Sequence, residues 1–378
     1  MIKVLHLSKY YPPVMGGIET FLFDLIHEQR RNREISVDVI CFHNERNKSF
    51  EEHDGVKVFR MGTLGELFSQ PISLSYVRKL RDLSKNYDIL HLHFPNPLAD
   101  LAVLLSGFKG KIVVHWHSDV VKSPLISTLY SPLMYRLLKR ADKVIVTSPN
   151  YAEGSIPLLK VSDKVEVIPL GLNVERMKKT DIALISKLRE KYKGRKIVFA
   201  VGRHIPYKGF EYLIRAAQGL PKEYMILIGG KGALLEYHQN LVKNLDLSDK
   251  VELLGFVSDS ELSAYYTLCD VYVMSSIDKS EAFGVVQLEA MYFGKPIVST
   301  AIPGSGVSWV NEDNKSGFIV PVRDSLALTK GILKLVNSNY YKQMSINAKD
   351  RVNEFFSSST TEKQVEKVYL SLLTESED

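Results

Sequence analysis

Short β-rich apolar runs alternate with amphipathic helical stretches along the whole chain, the pattern of parallel sheets that carry helices on both faces. The first series of runs reads Ile2 to Leu7, Val37 to Phe42, Ile89 to Phe94, Ile112 to His115, Val144 to Thr147 and Val165 to Pro169. Pro169-Leu170-Gly171-Leu172-Asn173 then leads into a charged stretch that ends at Arg195. A second series follows with Ile197 to Val201, Met225 to Ile228, Val251 to Leu254, Val271 to Met274, Ile297 to Thr300 and Phe318 to Val320. The pattern predicts an α/β protein of two doubly wound parallel-sheet domains, residues 1–175 and 176–360. Residues 361–378 are expected to form a terminal helix that packs back toward the N-terminal domain. In such sheets ligands bind beyond the carboxyl ends of the strands, where the strand order switches, so a cleft between two of them is the expected active site.

Composition supports this picture. A chain of 378 residues with 45% hydrophobic content suits two domains of roughly 150 to 200 residues, each with its own core. Cys41 and Cys269 are far apart and lie in or beside apolar runs, which argues against a disulfide framework and fits a reducing compartment. The opening MIKVLHL is too short and too interrupted for a signal peptide, and no apolar run is long enough to span a bilayer. A cytoplasmic protein is the expectation. The net charge of +6 is mild. Its basic residues gather at Arg30, Arg31 and Arg33, at Arg78, Lys79, Arg81 and Lys85, and at Arg136, Lys139 and Arg140. Such clusters suit solvated helix faces or contact with anionic lipid headgroups. Nucleic acid is excluded as a partner, since no basic stripe with interleaved aromatics occurs.

Three segments carry candidate chemistry. The loop Ser8 to Gly17 follows the first strand, and Ile18, Phe21, Leu22, Leu25 and Ile26 continue with helical spacing. Gly16 and Gly17 therefore stand at a helix N-terminus, where exposed amides can meet an anion or a sugar hydroxyl. The second domain opens alike, with Gly202-Arg203 at a strand end and Lys208-Gly209 before a helix from Phe210. Two fixed cations around a turn suit a diphosphate, because charge-assisted bonds to phosphate are strong and a leaving diphosphate gains charge. The third segment runs from Ser280 to Met291. Glu281 is expected in a loop and Glu289 two turns inside the following helix, where eight residues advance about 800°. A loop carboxylate can grip sugar hydroxyls, and one within the helix can grip a ribose.

Histidines form a further group. His115-Trp116-His117 ends one strand and His91-Leu92-His93 lies in another, so alternate residues share a face and either pair suits metal binding, packing or contacts in the cleft. No carboxylate at matching spacing completes a three-ligand site. Neither Asp-x-Asp nor a glycine-rich dinucleotide or Walker motif occurs. The expectation is therefore no metal and no cofactor, with the nucleotide-sugar a substrate held by cations and helix ends.

Together, Gly16-Gly17-Ile18-Glu19, Trp116-His117, Gly202-Arg203, Lys208-Gly209 and Glu281 with Glu289 resemble the retaining glycosyltransferase family 4, whose fold is GT-B, two Rossmann-like domains facing across a cleft. The resemblance spans residues 2 to about 330 in order. It implies that Arg203 and Lys208 clamp the donor diphosphate, that Glu289 holds the ribose, and that Glu281 holds the transferred sugar with backbone from Ala282, Phe283, Gly284 and Val285. Phe256 and Val257 would border the base, Gly16 and Gly17 would face the donor, and His117 would contact the transferred sugar. His117, Glu281, Arg203 and Lys208 are thus the expected catalytic set. Residues 280–311 look closest to bacterial mannosyl- and rhamnosyltransferases of surface polysaccharide synthesis. That closeness implies a GDP-mannose-like donor, a lipid-linked oligosaccharide acceptor and peripheral contact with an anionic membrane face. A UDP-sugar-dependent member of the family and a sugar-nucleotide epimerase of the same fold are the competing readings.

Overall fold

The apolar runs all become strands in a computed structural model that describes residues 1–14, 16–43, 45–67, 70–120, 124–178 and 181–374. Met15 of the first loop and residues 375–378 of the terminal helix lie outside these. The chain divides into two compact units, residues 1–171 with 358–378, and residues 172–357. The divides fall a few residues ahead of 175 and 360 for a local reason. Leu172 bridges to Ser357 and donates its N–H to Phe356 O at 2.7 Å, which ties both residues to the second unit. Thr361 Oγ1 donates to Pro169 O at 2.9 Å, which ties the returning helix to the first.

The N-terminal unit contains β1 (Ile2–Leu7), β2 (Ile35–Phe42), β3 (Ser49–His53), β4 (Val56–Met61), β5 (Gly65–Leu67), β6 (Gln70–Ile72), β7 (Ile89–Phe94), β8 (Lys111–Trp116), β9 (Lys143–Val146) and β10 (Val165–Val167). Its main sheet has the order β10-β9-β8-β7-β1-β2-β4-β3, parallel except that β3 runs against β4. β5 and β6 pair as a separate antiparallel hairpin. The chain builds outward from β1 to one side and resumes at β7 on the other, so the strand order switches between β1 and β7. Helix Ser358–Thr374 packs on helix Gly17–Gln29 of the same unit.

The C-terminal unit contains β11 (Lys196–Val201), β12 (Tyr224–Gly229), β13 (Val251–Gly255), β14 (Val271–Met274), β15 (Ile297–Thr300) and β16 (Gly317–Val320). All are parallel in the order β13-β12-β11-β14-β15-β16, which puts its switch between β11 and β14. Val198, Ile226, Ile228, Val271 and Val298 pack there against Phe210, Leu213, Ile214, Leu328 and Ile332 from the helices.

Central parallel strands are covered on both faces, which is why they read as apolar runs and not as alternation. β7 and β12 are buried at every position. Local signals delimit the helices between them. Helix Pro97–Ser106 begins at Asn96, whose side chain accepts from Ala99 N, has Pro97 in its first position, and ends at Gly107 with φ 71°.

Candidate active site

The switch of the C-terminal sheet gathers the charged candidates. Arg203 follows β11 and is exposed, while Lys208 closes the short turn Pro206–Lys208 and is buried. Gly209 has φ 62°, and a Cβ on it would lie 2.2 Å from Ser275 O. Only glycine lets this turn come so close to the end of β14. The approach delivers Lys208 Nζ to within 2.6 Å of Glu281 Oε2, and Ser276 Oγ donates to the same oxygen at 2.8 Å. The loop backbone is held as well. The Ser305 hydroxyl donates to Glu281 O, and Gly306 N donates to Ala282 O at 2.7 Å. A buried ion pair is tolerated only when its remaining hydrogen-bonding capacity is met, and Ser276 meets part of it here. Glu281 Oε1 and the Arg203 guanidinium have no hydrogen bond among the described residues.

Glu289 requires a correction. The helix is Val286–Tyr292, so Glu289 lies in its first turn and not two turns inside. The reason is Gly284, whose φ of 78° keeps residues 281–285 in a loop. A Cβ at Gly284 would also stand 2.8 Å from Gln287 Nε2. Glu289 is buried and accepts from Tyr266 OH at 2.8 Å, with Arg176 Nη2 3.7 Å from its other oxygen. Phe283 is buried against Trp309 and Phe356, and Val285 stands at the cap of the helix. Phe256 and Val257 follow β13. Phe256 is exposed, with Lys231 Nζ 5.6 Å from its ring centroid, and Val257 is buried.

In the N-terminal unit Gly16 caps helix Gly17–Gln29 as expected. A Cβ at Gly16 would lie 2.5 Å from Glu19 Oε2, so a carboxylate already stands over this helix end. The end therefore suits a neutral hydroxyl better than an anion.

His117, one residue past β8, belongs to a cluster that the sequence only partly displayed. The registers His6 with His91 and His93 with His115 put four buried histidines at one end of the sheet, and His117 joins them. His6 Nδ1 is 3.1 Å from His93 Nε2, and His93 Nδ1 is 3.0 Å from His117 Nε2. Burial lowers His117 to about 3 and His6 to about 4, and holds His91, His93 and His115 well below the usual imidazole value. All five are neutral at physiological pH. Nitrogens of His93, His115 and His117 lie within 4.8 Å of one another, the right residue type for a metal. His93 and His117 also lie at hydrogen-bonding distance. His93 and His117 are nearly coplanar at 15° with centroids 5.3 Å apart, so the two nitrogens face each other end to end.

Comparison with known proteins gives the family and the fold. The family profile "Glycosyltransferase Family 4" matches residues 15–176 and "Glycosyl transferases group 1" matches residues 181–351. The chain is 33% identical to O-antigen chain mannosyltransferase C of Escherichia coli, over 98% of this chain and 99% of that protein. It belongs to the family 4 glycosyltransferases. This glycosyltransferase is also 32% identical to D-rhamnosyltransferase WbpZ of Pseudomonas aeruginosa, over 94% of this chain and 92% of that one. In fold it is similar to sucrose-phosphate synthase from Thermosynechococcus elongatus, with a TM-score of 0.80 at 22% identity, covering 99% and 100% of the two chains. Its architecture is accordingly GT-B, two Rossmann-like parallel-sheet domains.

Proposed function

We propose that this glycosyltransferase moves a mannosyl or related deoxyhexosyl group from a GDP-sugar to a lipid-linked saccharide in O-antigen-type polysaccharide synthesis, with retention of configuration. One observation carries the reading of the donor site. A buried lysine, fixed by Glu281, stands at the strand switch of the C-terminal unit in the loop after β11 that also carries Arg203, which has no partner among the described residues. Such groups bind a diphosphate and bind it more strongly as it departs, which lowers the barrier to bond cleavage.

In this reading Arg203 and Lys208 hold the two phosphates. Glu281 uses Oε2 for Lys208 and Ser276 and leaves Oε1 for a hydroxyl of the transferred sugar. Glu289 takes the ribose, backbone at Phe283 and Gly284 supports the sugar, and Phe256 with Val257 borders the base. Saccharide hydroxyls are assigned to His117 and to the amides of Gly16 and Gly17. Glu281 is an orienting group in this reading, with Oε2 held by Lys208 and Ser276 so that Oε1 has a fixed direction. The bond from the anomeric carbon to the phosphate oxygen breaks, and the bond to the acceptor oxygen forms on the same face. The acceptor proton passes to the departing phosphate oxygen. The transition state is oxocarbenium-like, as in glycoside hydrolysis.

The reading includes metal-independent transfer, since the chain has no Asp-x-Asp and supplies cations of its own. Prolonged EDTA treatment should leave the rate unchanged; loss restored by Mg²⁺ or Mn²⁺ contradicts it. The acceptor reading adds peripheral attachment to the cytoplasmic membrane face. Among the described residues no helix is long and apolar enough to cross a membrane. Arg30 pairs with Asp54, Arg31 with Glu28 and Arg140 with Asp142, whereas Arg78 and Arg81 on helix Leu74–Ser84 and Lys85 at its C-cap are exposed, and that helix begins with exposed Leu74. Basic and apolar side chains so combined suit an anionic lipid surface. Binding to anionic but not neutral liposomes at low salt is expected, and equal binding to both overturns it.

A panel of nucleotide-sugars tests the donor by thermal shift and turnover. A GDP-sugar at 100 times its dissociation constant should stabilise the protein by about 2.7 kcal/mol. Turnover of UDP-sugars with every GDP-sugar ignored would overturn the donor assignment.

A further inference from the structure

We propose that Gln29, through His6 and His93, fixes which nitrogen of His117 carries the proton, so that His117 presents Nδ1 as a hydrogen-bond acceptor. The inference deepens the proposed function, because it states which chemistry His117 offers a saccharide hydroxyl.

A neutral imidazole has one donor and one acceptor nitrogen, so a line of them has a direction. His6, His93 and His117 are buried and neutral, and their rings lie nitrogen to nitrogen. Direction is set at the far end. Gln29 is fully buried in the last turn of helix Gly17–Gln29; its Nε2 donates to Tyr369 OH at 3.3 Å, and its Oε1 lies 3.0 Å from His6 Nε2. An amide oxygen accepts only, so His6 must carry its proton on Nε2. His6 Nδ1 then accepts from His93 Nε2–H, and His93 Nδ1 accepts from His117 Nε2–H. His117 is left with an unprotonated Nδ1, which has no hydrogen bond among the described residues.

A second arm holds Gln29 in place. Tyr369, on helix Ser358–Thr374, receives the amide proton and lies 2.5 Å from His91 Nδ1. The terminal helix thus orients the amide from which the line starts. Gln29, His6 and His93 are positioning residues. They act on saccharide only through His117.

The test is spectroscopic and uses the full chain without substrate. Two-bond ¹H–¹⁵N correlation spectra of the ¹⁵N-labelled protein at neutral pH report the protonation of each imidazole nitrogen, with His117 assigned by its loss in His117→Asn. The wild type should show His117 protonated on Nε2 and bare at Nδ1. His6→Leu interrupts the line and should give His117 averaged signals of two tautomers. His6→Gln, whose amide can donate to Gln29 and accept from His93, should restore the single tautomer. A wild-type His117 protonated on Nδ1 overturns the proposal, as does a His117 signal unchanged in folded His6→Leu. The wild-type spectrum decides the direction even where His6→Leu fails to fold. No substrate is present, so a wrong donor assignment leaves these spectra as they are.

Discussion

Both units place their candidate residues at the switch of a parallel sheet, yet the two switches are built from opposite materials. In the C-terminal unit the strand ends carry full charges: an exposed guanidinium, and a buried ammonium held 2.6 Å from a carboxylate. In the N-terminal unit the corresponding place is filled by five neutral imidazoles, all buried, with a helix end already covered by Glu19. Fixed charge suits a partner whose charge grows during reaction, whereas neutral directional groups suit hydroxyls that must be oriented without being ionised. In the function proposed above, the side chains at the two sets of strand ends divide the work between them.

The sharpest way to break this comparison is to remove the buried ammonium. Lys208→Ala should lower kcat about 10²–10³-fold, as loss of one preorganised electrostatic group does. It should also cost about 3–5 kcal/mol of stability, because Glu281 is left buried without its partner. Steady-state kinetics and urea unfolding check both effects. Activity within about threefold of wild type would remove Lys208 from the diphosphate site.

Arg203→Ala sharpens the contrast between paired and unpaired cations. Loss of a charge-assisted contact of about 1.5–3 kcal/mol should reduce kcat/KM roughly 10- to 100-fold. Stability should change by no more than about 0.5 kcal/mol, because the side chain is exposed and has no hydrogen bond among the described residues. Unfolding and kinetics measured on the same preparation separate it from Lys208→Ala.

A smaller effect is expected one layer back. Tyr266→Phe removes the hydroxyl that donates to Glu289 at 2.8 Å, and should raise donor KM up to about tenfold with kcat little changed. An unaltered KM would detach Glu289 from the donor.

The neutral switch is probed by pH. His6 titrates near 6.5 in the unfolded chain and near 4 when folded, so the unfolded state binds more protons between those values. Stability is therefore complete above pH 6.5 and is lost as pH falls toward 4. Buried Asp100 is raised to about 8 and works in the opposite sense, so the difference between wild type and His6→Gln isolates the histidine. That variant should flatten the slope by up to about 1.4 kcal/mol per pH unit. Equal slopes would mean that His6 is not kept neutral by folding.

Much of this was legible in the sequence because central parallel strands announce themselves as apolar runs. β1, β7, β14 and β15 have the bounds read from the pattern. β3 did not show itself, since SFEEH is an edge strand with little apolar content, and β5 and β6 are only three residues each. Arg203, Lys208, Glu281 and Glu289 stood out because charge at strand ends and in apolar company is unusual. Their partners did not. Ser276 and Tyr266 are ordinary residues made important by long-range contact, and the Lys208–Glu281 pair joins positions that sequence reading treats separately. His6 is one of only two polar residues in β1, Gln29 reaches it from one helix, and Tyr369 reaches Gln29 and His91 from another far along the chain. The register of β1 with β7 sets His6 beside His91, and side-chain hydrogen bonds bring in Gln29 and Tyr369.

The central claim, retaining transfer at a charged donor site, is tested most directly by the anomeric configuration of the product formed from GDP-α-D-mannose. NMR of the isolated product should show an α linkage, the configuration of the donor. A β linkage would contradict the same-face route, and with it the assignment of Glu281 as an orienting group.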